Sequence, residues 1–525
     1  MRPWYCACLT LITLVAVWIG NFGATDSSTF QPAFPHSGTR QLVISQTQDN
    51  HFSIVQTCDQ VPWQPEKASL TTIPPGFTST PGVCFSQAQP VGESVPPPLA
   101  PVSLEAISKA DPSLYSATPE NESYPGSHST SSDGRYVVFL SNGRNVVDGQ
   151  IDTNEGYDIF VFDRLTQTTR LVSGAENSTT QTGNNPSRTA TISADGRFIV
   201  FTSTATNLVL EQVDTNAERD VFVFDQIEGT TRLISRVPGS TTQAGNLASF
   251  SPVISADGRF IAFASAATNL VPGQIDTKTL SDIFVFDQVE GATRLVSRVP
   301  GSPTRVANSS SFSPVINADG RFIAFESFAS NLVPNQVDYA YTDIFVFDQV
   351  EGTTCLVSGY ESSSNQAGDN HSQSPLISAD GRYIAFQSYA RRLIENLVDP
   401  SGYVDVFVFD QIEGTTRLVS GIEGSPTQLI DTGSYLEAMS PDGRFITFQS
   451  YSQQLVAGLN EEPRYSEDIF VFDREEGKTQ LVSRAGGSPT QTGNKPSEGS
   501  MFSSDGRFIL FSSLATDLVE DQIAV

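Results

Sequence analysis

The chain has 525 residues, with 58 Asp and Glu against 30 Lys and Arg, and so a formal charge of −28. Such an acid excess excludes a nucleic-acid partner, because phosphate binding needs clustered Lys and Arg, and it disfavours acidic membranes for the same reason. Outside the cytoplasm the same charge confers solubility, and it suits divalent cations or a cationic partner.

Residues 1–24 read as a secretory signal: Arg2 gives a positive start, an apolar run covers residues 7–20, and small residues precede Thr25. The run is too short for a spanning helix, and no later segment reads as membrane-inserted. The expectation is a secreted, periplasmic or cell-surface protein. Residues 25–102 form an extension rich in Pro, Ser, Thr and Gln, with the spacer VPPPLAP at 95–101. Cys58 and Cys84 flank part of it and form a candidate disulfide in an oxidising compartment.

From residue 103 to 525 the chain is repetitive. Asp-Gly-Arg followed by Phe or Tyr recurs with its Asp at 133, 195, 257, 319, 380, 442 and 505, a step of about 62 residues. A second signature, Asp-(Ile/Val)-Phe-Val-Phe-Asp, begins at Asp158, Asp220, Asp282, Asp343, Asp405 and Asp468. One unit, residues 191–235, reads as four short strands, A to D. Asp-Gly turns the chain between A and B, because Gly tolerates positive φ. In DVFVFD the alternating sets Phe222/Phe224 and Val221/Val223 are both apolar, so the strand must be covered on both faces. Four-stranded antiparallel sheets stacked around an axis meet that demand, which predicts an all-β propeller. A β-helix has shorter coils and does not alternate tight hairpins with long loops.

Seven A–B hairpins but six C strands leave the last unit incomplete. The expectation is seven blades, the last closed by N-terminal strands drawn from residues 40–45, 52–57 and 103–108; six blades plus a tail is the alternative. The B–C and D–A connections are long and emerge at one end, which predicts a loop-bearing face suited to binding.

The strongest metal-like pattern is Asp152, Asn154 and Asp158 in the first B–C loop, repeated as Asp214, Asn216 and Asp220 in the second. Oxygen donors at alternate positions suit calcium, although Asp and Asn also cap turns without metal. The pattern decays in later repeats. The Asp-Gly-Arg element recurs too often to be catalytic; its Asp sets the turn and its Arg pairs with a nearby carboxylate or carbonyl. Cys355 stands where other repeats carry Arg and reads as an unpaired substitution. No nucleophile elbow, zinc-protease motif or phosphate loop is present, and only His128 and His371 fall within the repeats. No catalytic residue and no cofactor besides calcium is assigned, but two carboxyls for glycoside chemistry could hide among so many acids.

The combined pattern SxDGRFIAFxSxATNLV…D…DIFVFD…GTTRLVS, from Asp133 to the C-terminus, resembles the TolB-like (WD-like) propeller repeat of bacterial exported proteins. The resemblance implies an exported propeller that binds proteins or envelope components. The repeat is longer than in TolB and the N-terminal part does not read as its α/β domain, so a Tol role is not carried over. The expected function is a monomeric, non-enzymatic scaffold binding a protein or polysaccharide through its loop face. The alternatives are a carbohydrate-active enzyme using propeller carboxylates, or a structural surface protein stabilised by calcium.

Overall fold

The computed structural model describes residues 129–518 apart from 362, 398–401, 426, 461–465 and 487, together with the backbone of residues 42–46, 52–57 and 123–128. Among these residues every regular element is a β-strand. They form seven four-stranded sheets, each antiparallel throughout. The second blade is typical, with strand A at Ser187–Ile192, B at Phe198–Ser203, C at Asp220–Asp225 and D at Thr230–Leu233.

The core lies between blades. Phe222 and Phe224 pack against Val138, Ile159 and Val161 of the first blade. Val221 and Val223 face the other way, onto Phe263, Phe284 and Phe286 of the third. The two alternating sets of strand C thus serve two interfaces, which is why all six residues of DVFVFD are buried. Within each of the first six blades a Phe of strand B stacks on a Phe of strand C, as in Phe201–Phe222 at 5.8 Å.

The A–B turn is built by its own side chains. Asp195 Oδ1 accepts from Ser193 Oγ at 2.6 Å and from Arg197 N at 2.9 Å. Arg197 then reaches the carboxylate that ends strand C, Asp225, at 2.7 Å. Gly196 has φ +76, and a Cβ there would stand 2.3 Å from Tyr136 of the preceding blade. Turn also meets turn around the axis: Ser132 N donates to Ala194 O, Ala194 N to Ala256 O, and the series continues through Ala318 and Ala379 to Pro441 O.

The seventh blade joins both ends of the chain. Ser497–Phe502 and Phe508–Ser513 supply its inner strands, and Phe52–Thr57 and Leu42–Gln46 its outer pair. Strand pairing runs from Phe52 opposite Ser513 to Thr57 opposite Phe508. The seven-blade expectation therefore holds, with the candidates at 40–45 and 52–57 as the closing strands; residues 103–108 lie outside the described residues. Cys58 and Cys84 lie outside them too. Cys355 is disulfide-bonded, which corrects its reading as unpaired. No other cysteine falls among the described residues, so its partner lies outside them.

Candidate functional site

The acid pattern of the B–C loops folds the same way in successive blades. In the first, Asp152 Oδ1 accepts from the backbone N–H of Asn154 at 3.0 Å and of Glu155 at 3.2 Å, closing a side-chain-stabilised turn. Asn154 braces the loop, donating to Gly183 O and accepting from Gly156 N, each at 2.6 Å. Asp158 opens strand C and is 1% exposed. Its Oδ1 accepts from Ser173 Oγ at 2.8 Å, and Ser173 Oγ in turn accepts from Ile159 N. The remaining oxygens, Asp152 Oδ2 and Asp158 Oδ2, are buried without a hydrogen-bond partner.

The second blade repeats this with Asp214 holding Asn216 N at 3.0 Å, Asn216 donating to Gly245 O at 2.9 Å, and Ser235 Oγ donating to Asp220 at 2.7 Å. In the third, Asp276 and Asp282 keep their places while Lys278 sends its ammonium to Asn308 O. The fourth keeps Asp338 and Asp343 despite a loop one residue shorter. Burial pushes the carboxyls of Asp158, Asp220, Asp282 and Asp343 up to about 8. The serine hydrogen bond opposes that shift and the neighbouring loop aspartate adds to it. Among the described residues these are pairs: no three His, Cys, Asp or Glu side chains converge.

The long loops are braced on one another. Gln150 Oε1 accepts from Val146 N at 2.8 Å while its Nε2 donates to Gly143 O at 2.7 Å, and Gln212, Gln274 and Gln336 do likewise. The linker between the first two blades is tied to the loop on both sides: Gln181 bridges Ile151 behind it, and Asn184 exchanges hydrogen bonds with Thr206 ahead.

A second candidate, which the sequence reading did not single out, lies towards the loop end of the inner strands between the fourth and fifth blades. The fifth residue of strand B is Leu140, Thr202, Ala264, Gln387, Gln449 or Ser512 in other blades, but Glu326 in the fourth. Glu326 is 7% exposed, and its Oε1 accepts from Ser374 N of the fifth blade at 2.9 Å. Burial raises its carboxyl, against the Ser374 and Ser313 hydrogen bonds. Ser374 sits at a bulge of the inner strand with φ +56, and Thr189, Ser251 and Ser313 hold the same conformation in their blades. Non-glycine residues held there carry strain.

Aromatic side chains gather beside it. Phe312 is the cross-strand partner of Glu326 and lies 5.8 Å from Phe328, which is 38% exposed. His371 meets Phe328 edge-on at 6.1 Å and Tyr341 at 4.9 Å. Thr342 N donates to His371 Nδ1 at 3.1 Å, so the neutral ring carries its proton on Nε2. In the sixth blade Glu437 accepts from Gly499 N at 2.9 Å and Ser500 N at 2.8 Å of the seventh. Burial raises its carboxyl too, with the Ser500 and Gly499 donors opposing. The side chain of His128 lies outside the described residues.

No protein-family model matches the chain, and no curated protein does. Solved structures do. An oligogalacturonate lyase of Vibrio parahaemolyticus is 11% identical, with 77% of this chain and 93% of that one covered and a TM-score of 0.40. The β-propeller domain of the Trilobed protease of Pyrococcus furiosus is 13% identical over 76% of this chain and 98% of that one, at 0.37. A puromycin-hydrolysing peptidase of Mycobacterium tuberculosis is 12% identical over 78% of this chain and 55% of that one, at 0.39. Likeness at this level concerns the fold and assigns no reaction to this chain. The structures so named are a lyase and peptidases, and the expectation of a non-enzymatic scaffold binding through the loop face is withdrawn in their light. The loops themselves do not restore it, since they are tied into one another by recurring Gln and Asn side chains.

Proposed function

We propose that the protein is a carbohydrate-active enzyme whose chemistry uses the inner-strand carboxyls Glu326 and Glu437. The observation that carries the reading is Glu326: a buried carboxyl at a position where the third blade keeps the same architecture with Ala264. The repeat does not require an acid there, and burying one costs stability unless it serves something else. Burial raises its carboxyl, the direction that suits a proton donor to a glycosidic oxygen. Glu437, which accepts from two backbone N–H groups of the seventh blade, is the second inner-strand carboxyl available to such chemistry. Phe312, Phe328, Tyr341 and His371 supply ring faces and edges beside Glu326, on which the C–H face of a sugar packs.

The same reading takes the repeat as TolB-like, on the Asp-Gly-Arg and DIFVFD signatures, and the chain as exported and monomeric, on the character of residues 1–24 and the acidic charge. The test is a screen of the purified chain against neutral and uronic-acid polysaccharides for new reducing ends, with Glu326→Ala alongside. That replacement gives the fourth blade the residue the third already carries. Cleavage by the parent chain that disappears in the variant, with melting retained, is the expected result; equal cleavage by both would remove Glu326 from the chemistry.

A further inference from the structure

We infer that the loop and strand-C aspartates of the first blade, Asp152 and Asp158, hold a hard divalent cation, calcium or magnesium. The inference is independent of the Glu326 reading, since this pair occurs in a B–C loop and not on the inner strands.

Their oxygens show why. Asp158 is 99% buried by its 1% exposure, and one of its two oxygens has no partner. Asp152, whose charge acts on Asp158, has its Oδ2 buried and unpartnered as well. Two neighbouring carboxylates, each with an idle buried oxygen, are costly as they stand, because buried polar atoms are paired in native proteins and buried charges are neutralised. No Lys or Arg ion pair reaches either of them among the described contacts. The other three oxygen-bearing contacts in the loop are already committed: Asp152 Oδ1 to two backbone N–H groups, Asp158 Oδ1 to Ser173, and Asn154 to Gly156 and Gly183. What is left over is the pair of Oδ2 atoms.

The loop-aspartate half of the arrangement recurs: Asp214 Oδ2 and Asp276 Oδ2 are buried and unpartnered in the second and third blades, beside strand-C aspartates held by a serine. Among the described residues both aspartates keep an idle oxygen in the first blade alone, which is why the assignment is made there. In the fourth blade Gln336 Nε2 donates to Asp338 Oδ2 at 3.2 Å, so there the strand-C Asp343 alone keeps an idle oxygen and the blade is left out of the assignment. The donors are carboxylate oxygens alone, which selects hard cations over zinc or copper. Two protein carboxylates leave most of the coordination shell to water, as magnesium prefers and as calcium accepts at modest affinity.

The test uses the full chain stripped with chelator and dialysed against millimolar calcium or magnesium, with bound metal counted by elemental analysis and folding followed by thermal melting. Expected is saturable binding of one or both metals, a raised melting temperature, and loss of the bound ion in Asp152→Asn, whose partly exposed side chain lies outside the apolar core. Asp158→Asn makes the same point from the buried side if it folds. Calcium binding without magnesium, or the reverse, identifies the ion and leaves the site standing. A folded parent chain that binds neither metal, or an Asp152→Asn chain that keeps the full complement, overturns the inference.

Discussion

Arg321 grips Asp348 with two hydrogen bonds, Nε to Oδ1 at 3.1 Å and Nη2 to Oδ2 at 2.9 Å, and so ties the A–B turn to the end of strand C. In the seventh blade strand C comes from Phe52–Thr57, and among the described residues Arg507 pairs with its own turn's Asp505, at 3.6 Å. Charge-assisted, two-point pairs that are largely shielded from solvent outweigh exposed single contacts. Arg321→Ala should lower stability by about 1–2 kcal/mol in urea unfolding, and Arg507→Ala by less than about 0.5 kcal/mol. Equal losses would show that the grip adds nothing beyond the turn.

The turn glycines separate two costs. Gly320 has φ +75, and a Cβ would stand 2.2 Å from Phe260 of the preceding blade, whereas at Gly506, φ +68, the nearest atom is 3.4 Å away. Gly506→Ala meets only the backbone penalty, about 1–2 kcal/mol. Gly320→Ala adds a clash with a packed ring, so its loss should exceed that of Gly506→Ala by about 1 kcal/mol or more. Thermal melts of the two variants side by side decide this.

The seventh blade predicts a dependence on the far N-terminus. Removing residues 1–60 takes away Leu42–Gln46 and Phe52–Thr57 and leaves Phe508–Ser513 as an open strand edge. Open edges recruit other chains. The truncated protein should melt lower and elute as aggregates. An unaltered melt after the truncation would sink the closure.

The strand-C aspartates give the metal-free protein an unusual pH response. Their folded carboxyls stand near 8 against an ordinary 3.8, so between those values the folded state binds more protons than the unfolded one. Stability from these groups is full below about pH 4 and is lost as pH rises towards 8. In chelator, urea midpoints should therefore fall across that window, and Asp220→Asn should flatten the slope. A midpoint that rises from pH 5 to pH 8 in chelator would contradict the assignment.

How much of this was legible in the chain depends on the range of the physics involved. The Asp195–Gly196–Arg197 turn was readable because its chemistry is local, and the doubly buried DVFVFD strand because apolar residues on both faces admit few architectures. The closing strands were visible as β-prone segments, but the pairing of Phe52 with Ser513 spans nearly the whole chain and only the missing strand count hinted at it. The acid loops were seen, yet the role of Asn154 as a brace and the idle Oδ2 atoms depend on burial, which spacing does not encode. Glu326 escaped notice because it is one departure inside a repeat, FIAFES beside FIAFAS, and its meaning depends on Ser374 of the next blade. Comparing the repeats position by position was the signal that could have found it.

The most direct measurement is polysaccharide cleavage by the parent chain and by Glu326→Ala, run with melting temperatures on the same preparations. The account predicts that the parent releases new sugar ends from at least one polysaccharide, and that the variant loses at least a hundredfold of that rate, on the order expected for removing a proton donor, with its melt intact. A variant as active as the parent, or a well-folded parent inert across the whole panel, would contradict it.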